Sequence, residues 1–221
     1  MTTLIVPAAG SGQRFGGPLP KQLLLVAGRP VLAWTLAAFA GAVDQAVLAV
    51  SAEVHDAVAA IAATAPFPCQ LVIGGATRQA SVATALAACP PGPVLVHDAV
   101  RPCVPRRCID DCLAALKLHA GAVVAVPCAA TVKRSDDGRT VVTTVPREPL
   151  WLAQTPQGFD RDIALAAFAR AAREGWDCSD DVQVLERCGL SVALVRGDAR
   201  NLKITTPDDL VVAEALLARL G

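Results

Sequence analysis

Charged side chains that could act on phosphate fall in three stretches of this sequence. PAAGSGQRFGGPLPKQ (7–22) carries Arg14 and Lys21, VLVHDAVRP (94–102) carries Asp98 and Arg101, and RNLKITTPDDL (200–210) carries Lys203. The first is a glycine-rich loop straight after the apolar run TLIV. The backbone N–H groups of such a loop can surround phosphate oxygens. Arg14 offers a planar fork and Lys21 a point charge. In phosphoryl-type transfer, charge builds on the oxygens around phosphorus, and positioned cations stabilise it. Asp98 follows an apolar run and supplies the single carboxylate that Mg²⁺ needs when phosphates and waters complete its shell. Lys203 becomes a third cation on the phosphates if its segment ends near the first loop.

Each stretch also has a plainer reading. The loop glycines are Gly10, Gly12, Gly16 and Gly17, and Phe15 stands where a dinucleotide fingerprint needs its third glycine. The Gly-Lys-Ser/Thr end of a Walker A loop is absent too. That leaves a triphosphate cradle with its own cations, or a solvated turn with incidental basic residues. Asp98 could instead cap the following turn and pair with Arg101, His97 reads as a packed or hydrogen-bonded histidine, and Lys203 could be a surface lysine. A fourth stretch, GGATRQASVATAL (74–86), closes a strand with Gly74 and Gly75 and opens a helix with Arg78 and Ser81. Paired glycines let a flat base approach the backbone, and Ser81 could bond a base edge. An ordinary strand-to-helix turn is the alternative. Cys103, Cys108 and Cys112 match no zinc spacing, and no Gly-x-Ser-x-Gly elbow supports serine chemistry.

The elements that must position these residues alternate along the chain. Strands are expected at 3–8, 46–50, 70–75, 93–99, 121–127 and 190–195. Helices are expected at 30–41 with Pro30 in the first turn, and at 53–65, 77–88, 105–119, 160–173 and 180–187. A last helix starts at TTPDDL, with Thr206 as N-cap and Asp209 completing a capping-box-like start. Short apolar strands of this kind suit a mostly parallel α/β sheet with helices on both sides. In such sheets ligands sit beyond the carboxyl ends of the strands, where Asp98 falls. Residues 129–146 break the rhythm as two extended arms around an Asp-Asp-Gly turn. A lone hairpin is marginal in water. It could pair with a second copy in a symmetric dimer with crossed arms, or stand as an exposed hairpin.

The 221 residues suit one domain. Lys plus Arg and Asp plus Glu number 20 each, so nothing pulls the chain toward nucleic acid or membrane, and an anionic ligand must be held by local cations. No apolar run is long enough to span a bilayer. The start MTTLIVPAAG has no basic n-region and reads as a first strand rather than a signal peptide. The eight cysteines lie mostly in apolar runs, as reduced thiols of a cytoplasmic protein do.

Taken together in this order, the four stretches closely resemble the methylerythritol phosphate cytidylyltransferases of the non-mevalonate isoprenoid pathway. TVKRS (131–135), LWLAQTPQGF (150–159) and CSDDVQVLERCG (178–189) fit the same pattern, so the resemblance covers nearly the whole chain. It implies a single-domain, three-layer, Rossmann-like nucleotidyltransferase sheet with a protruding β-hairpin arm. It also implies a CTP-dependent reaction with 2-C-methylerythritol 4-phosphate that releases pyrophosphate. In that pattern Arg14, Lys21 and Lys203 stabilise the transition state, and Asp98 positions Mg²⁺ and nucleotide. Ala8, Ala9, Gly75 and Ser81 hold cytosine, with Gly10 and Gly12 on the nucleotide. Arg101, Thr131, Arg147 and Thr155 hold the polyol phosphate, Arg147 serving the neighbouring subunit through the 129–146 arm. Departures from the pattern are Ala76, Val100, Ala130, Ser179, Asp181 and Arg200. Competing readings are a cytidylyltransferase for another polyol phosphate, such as ribitol 5-phosphate, and a non-catalytic nucleotide-binding protein on the same fold.

Overall fold

Leu4, Val6 and Ala8 alternate with Ile5 along β1 (Thr3–Ala8), and the two sets enter different cores. That alternation describes the whole molecule, because a strand buried on both faces needs apolar residues at every position. The computed structural model describes residues 1–10 and 19–219. Arg14 and Gly12, both expected at the nucleotide, lie outside the described residues.

After β1 come a two-strand ribbon, β2 (Leu25–Val26) and β3 (Arg29–Pro30), then α1 (Val31–Ala38), β4 (Gln45–Val50), α2 (His55–Ala62), β5 (Cys69–Ile73), α3 (Arg78–Ala88), β6 (Pro93–Val96), α4 (Arg106–Ala115) and β7 (Gly121–Pro127). The second half has β8 (Val132–Arg134), β9 (Thr143–Val145), β10 (Trp151–Asp160), α5 (Arg161–Arg173), α6 (Val182–Arg187), β11 (Val192–Arg196) and α7 (Pro207–Leu217). Seven strands form one sheet in the order β11-β7-β10-β6-β1-β4-β5. All its pairings are parallel except those of β10, which runs antiparallel to β6 and β7.

Helices α1, α2 and α4 cover one face around Leu32, Leu36, Val58 and Ile109, and α3, α5 and α6 cover the other around Val82, Leu86, Phe168 and Leu185. The result is the expected three-layer α/β arrangement. A third cluster joins Val26, Val31, Val100, Ile204 and Ala213, so that α7 closes over the ribbon and the loop after β6. No helix among the described residues is long and apolar enough to cross a membrane.

The expected strands and helices form, with shifts at their ends. Pro30 and Pro105 stand as N-caps before α1 and α4 rather than inside the first turn, and both helices end three or four residues early. The helix expected at 53–65 splits into a 3₁₀ turn, Ala52–Val54, and α2. The strand expected at 93–99 stops at Val96, which leaves His97 and Asp98 just beyond its carboxyl end. The sequence reading missed two features, the β2–β3 ribbon and the ten-residue β10. The polar Gln154–Gln157 run with Pro156 hides β10, whose ladder to β7 breaks register between Ala153 and Gln157. Pairing on both sides outweighs its weak local preference. The 129–146 arm forms the antiparallel pair β8–β9, with Val132 opposite Val145. At its tip Asp137 accepts the N–H groups of Arg139 and Thr140, and every residue from 133 to 144 is exposed.

Candidate active site

The carboxyl ends of β1 and β6, the start of α3 and the segment before α7 enclose a cleft of about 290 Å³. Ala8, Ala9, Gly10, Lys21 and Gln22 line one side, Gly75 to Arg78 and Ser81 another, and Asp98 and Lys203 the floor. Gln22 donates from Nε2 to the Ala8 carbonyl at 2.9 Å, tying the lysine-bearing segment to the end of β1. Lys21 Nζ lies 3.3 Å from the Ile204 carbonyl, one residue past Lys203, so both lysines reach the same cleft.

Asp98 is the electrostatic centre. Its Oδ2 accepts from Lys203 Nζ at 3.0 Å and Arg101 Nε at 3.2 Å, and its Oδ1 meets Arg78 Nη2 at 3.4 Å. Burial opposes its ionisation, but Lys203, Arg78 and Arg101 together outweigh burial and hold the carboxyl well below the usual range. Arg78 also donates to Asp181 Oδ1 at 2.7 Å. The two partners shift differently. Asp181 is 2% exposed, and burial pushes it up to about 6 despite Arg78, whereas Arg78 moves further up because two carboxylates outweigh its own burial. The remaining oxygen of Asp181 is buried without a hydrogen-bond partner among the described residues, consistent with a carboxylate that ionises at a cost.

Beneath Asp98 lies a neutral relay. His97 Nε2 faces the Arg101 carbonyl at 3.1 Å and must donate to it, so Nδ1 accepts from the Thr155 hydroxyl at 2.9 Å. The same Thr155 oxygen accepts the Asp98 N–H at 3.1 Å. Burial pushes the imidazole down to about 4, as this bonding requires. His97 is therefore structural, as its sequence context suggests.

The glycine pair serves close packing. A Cβ on Gly74 would sit 2.7 Å from Ala9 Cβ, and one on Gly75 would sit 2.5 Å from Ala80 Cβ. The strand turns this tightly so that α3 can present its N-terminus to the cleft, with the Thr77 side chain accepting from the Ala80 N–H. Ser81 lies in the wall, but its hydroxyl donates to the Thr77 carbonyl at 2.9 Å, leaving lone pairs for a ligand.

Among the sequence candidates, Ala8, Ala9, Gly10, Lys21, Gly75, Ser81, Asp98 and Lys203 meet in this cleft. Arg101 and Thr155 do not line it. They are 9% and 4% exposed, and their polar groups are bonded to Asp98, Asn201 and His97. Thr131 and Arg147 sit exposed at the root of the arm, where Arg147 donates to the Ala129 carbonyl. Sequence reasoning gave no role to Gln22, Arg78, Asp181, Gln154 or Asn201. Arg78 and Asp181 had a signal, a charge beside a glycine pair and an acidic doublet, but their contact spans 103 residues.

No group of three His, Cys, Asp or Glu side chains among the described residues could hold a metal ion unaided. Asp98 is the carboxylate among the residues lining the cleft, and Mg²⁺ commonly takes one carboxylate when phosphates and waters complete its shell.

A family model described as 2-C-methyl-D-erythritol 4-phosphate cytidylyltransferase (IspD) matches residues 2–219. The chain belongs to this family. A curated cytidylyltransferase of that description from Deinococcus radiodurans is 46% identical over 215 residues, covering 97% of this chain and 89% of the relative. One from Chromobacterium violaceum is 45% identical over 219 residues, covering 97% and 96%. Among solved structures, 2-C-methyl-D-erythritol 4-phosphate cytidylyltransferase from Thermus thermophilus superposes with a TM-score of 0.81 at 40% identity, covering 98% of each chain. The 4-diphosphocytidyl-2C-methyl-D-erythritol synthase of Anaerococcus prevotii superposes at 0.86 with 30% identity, covering 99% and 98%. The cytidylyltransferase fold therefore extends over the whole described chain.

Proposed function

We propose that this chain transfers the CMP unit of CTP to 2-C-methyl-D-erythritol 4-phosphate. The products are 4-diphosphocytidyl-2-C-methyl-D-erythritol and pyrophosphate, a step toward isoprenoid precursors. The observation that carries the reading is the meeting of Lys21, Lys203 and Asp98 beside the N-terminus of α3, in a chain of this family. A phosphate oxygen of the polyol attacks the α-phosphorus. The bond from that phosphorus to the bridging oxygen breaks, and pyrophosphate leaves with the electron pair. The nucleophile is already anionic and needs no general base, so catalysis consists of positioning and charge stabilisation.

In this reading Lys21, Lys203 and Arg14 face the α-phosphate. Asp98 would hold Mg²⁺, which supplies charge neutralisation on the triphosphate. Ala8, Ala9, Gly75 and Ser81 surround cytosine, and Gly10 and Gly12 approach the phosphates. Thr131 and Arg147 serve the polyol phosphate, with Arg147 reaching a second copy of the chain through the arm, and the buried Arg101 and Thr155 act on it through Asp98, whose carboxylate and N–H they bond. Support for the dimer comes from an arm whose residues 133–144 are all exposed on its own chain. A cytoplasmic setting belongs to the same reading and is supported by eight cysteines present as free thiols.

The test is pyrophosphate release from CTP and Mg²⁺, with and without methylerythritol phosphate. Release that needs both substrates is the expected outcome, and Lys21→Ala should slow turnover by about 100- to 1000-fold, as loss of one transition-state donor does. Release with ribitol 5-phosphate alone would reassign the acceptor. Silence with every polyol phosphate from folded protein would refute transferase activity.

A further inference from the structure

Lys203 lies in a segment that is neither helix nor strand, yet its ammonium group is placed 3.0 Å from Asp98. Something outside the segment must fix it. One tether lies just after it, where the Ile204 N–H donates to the Val100 carbonyl at 2.9 Å. The other lies two residues before it. Asn201 is 0% exposed and donates from Nδ2 to the Thr155 carbonyl at 2.7 Å and to Gln154 Oε1 at 3.2 Å. Gln154 reaches the same loop from β10, donating from Nε2 to the Asp198 carbonyl at 2.9 Å. The approach is so close that a Cβ on Gly197 would stand 2.7 Å from Gln154 Oε1.

Thr155 is thus a common post. Its hydroxyl accepts the Asp98 N–H, and its carbonyl accepts the Asn201 amide. Asp98 and the Lys203 segment are both referenced to one residue of β10. The Asn201 backbone carbonyl also accepts Arg101 Nη1 at 2.7 Å, which fixes a second cation of the cluster. For stability alone an amide is a poor filler here, because Asn201 Oδ1 is buried without a partner among the described residues. Flipping the amide would set that oxygen against two others, so only the donor arrangement fits.

We propose that Gln154 and Asn201 are positioning residues for the transfer reaction, because the amide of Gln154 on β10 and that of Asn201 in the segment before α7 together set where Lys203 stands relative to Asp98. This inference rests on the catalytic reading of Lys203. Displacing a reacting or stabilising group by about 1 Å can cost about 100-fold in rate. The substitution Gln154→Met keeps the shape and removes both amide ends, and Asn201→Ala removes the donor.

A double-mutant cycle separates this role from a merely structural one. Each variant is made in the parent chain and in Lys203→Ala, and kcat and KM for CTP are measured on protein shown to be folded by its melting transition. In the parent background kcat should fall by about tenfold or more while KM for CTP moves by less than about threefold. In the Lys203→Ala background the same substitutions should cost less than about twofold more, since the group they position is gone. Equal fractional losses in both backgrounds, or no loss from Gln154→Met in the parent, would overturn the proposal. Should Gln154→Met not fold, Gln154→Glu keeps the acceptor and the shape, loses the donor to Asp198, and is held to the same criteria. The catalytic reading fails separately: it falls if Lys203→Ala alone leaves kcat unchanged, and the positioning role then falls with it. A slow Lys203→Ala with additive losses sinks the positioning role alone.

Discussion

At the scale of single residues, the site sets two buried titratable groups against each other. His97 is pushed down to about 4 from 6.5, so between those values the unfolded chain binds more protons, and stability rises with pH. Asp181 is pushed up to about 6 from 3.8, so across that window the folded chain binds more protons, and stability falls as pH rises. Each shift corresponds to free energy on the order of 3 kcal/mol, and the two nearly cancel in the parent protein. Asp181→Asn should unmask the histidine. Its denaturation free energy, measured from pH 4 to 6.5, should climb more steeply than that of the parent. A parallel pair of curves would mean that Asp181 does not take up a proton on folding. The placement of single residues in the cleft is legible in sequence where a charge follows a strand or a glycine loop, as with Asp98 and Lys21. It is not legible for Asn201, whose amide works through Thr155, 46 residues away.

At the scale of elements, legibility follows local pattern. β7 reads directly from GAVVAVP, and α7 from its capping box, where Thr206 and Asp209 satisfy each other's backbone partners. β10 does not read, because glutamines and a proline at its middle meet their partners only after β6 and β7 flank it. The turn into α3 reads as a glycine-bearing strand-to-helix junction, and the structure supplies a reason for the glycines that the sequence does not. Base access was the expected role, and the contact of Gly75 with Ala80 adds a steric one. Gly75→Ala should therefore cost about 1–3 kcal/mol through overpacking and raise KM for CTP by displacing the start of α3. Denaturant titration and steady-state kinetics on the same preparation check both effects. Unchanged stability would show that the turn absorbs the methyl group.

At the scale of the whole molecule, the balanced charge and two-faced core are legible from composition and strand alternation. Assembly is only suggested. Thr131 and Arg147 are exposed at the root of the arm and do not line the cleft of their own chain, so a shared site makes a distinct prediction. Arg147→Ala and Lys21→Ala chains, each nearly inactive alone, should regain turnover when mixed and allowed to exchange, because every mixed dimer carries one intact site. Activity that stays at the level of the separate variants would rule out sharing.

The position of β10 has a further consequence. The parallel strands fall into two groups, β5-β4-β1-β6 and β7-β11, which share no pairing except through this one strand. β10 is delivered only after the exposed arm, and its partner β6 lies about sixty residues earlier. Until it docks, β6 and β7 each present an unpaired edge, the kind of surface that recruits strands from other chains. Such long-range pairing is slow because loop closure precedes any gain. Synthesis from the N-terminus therefore passes through a stage in which β6 and β7 are both made and the strand that joins them is not. The strand that aligns the catalytic groups is also the one that joins the two groups of strands, so a chain that fails to set it loses activity and gains a tendency to aggregate at the same step.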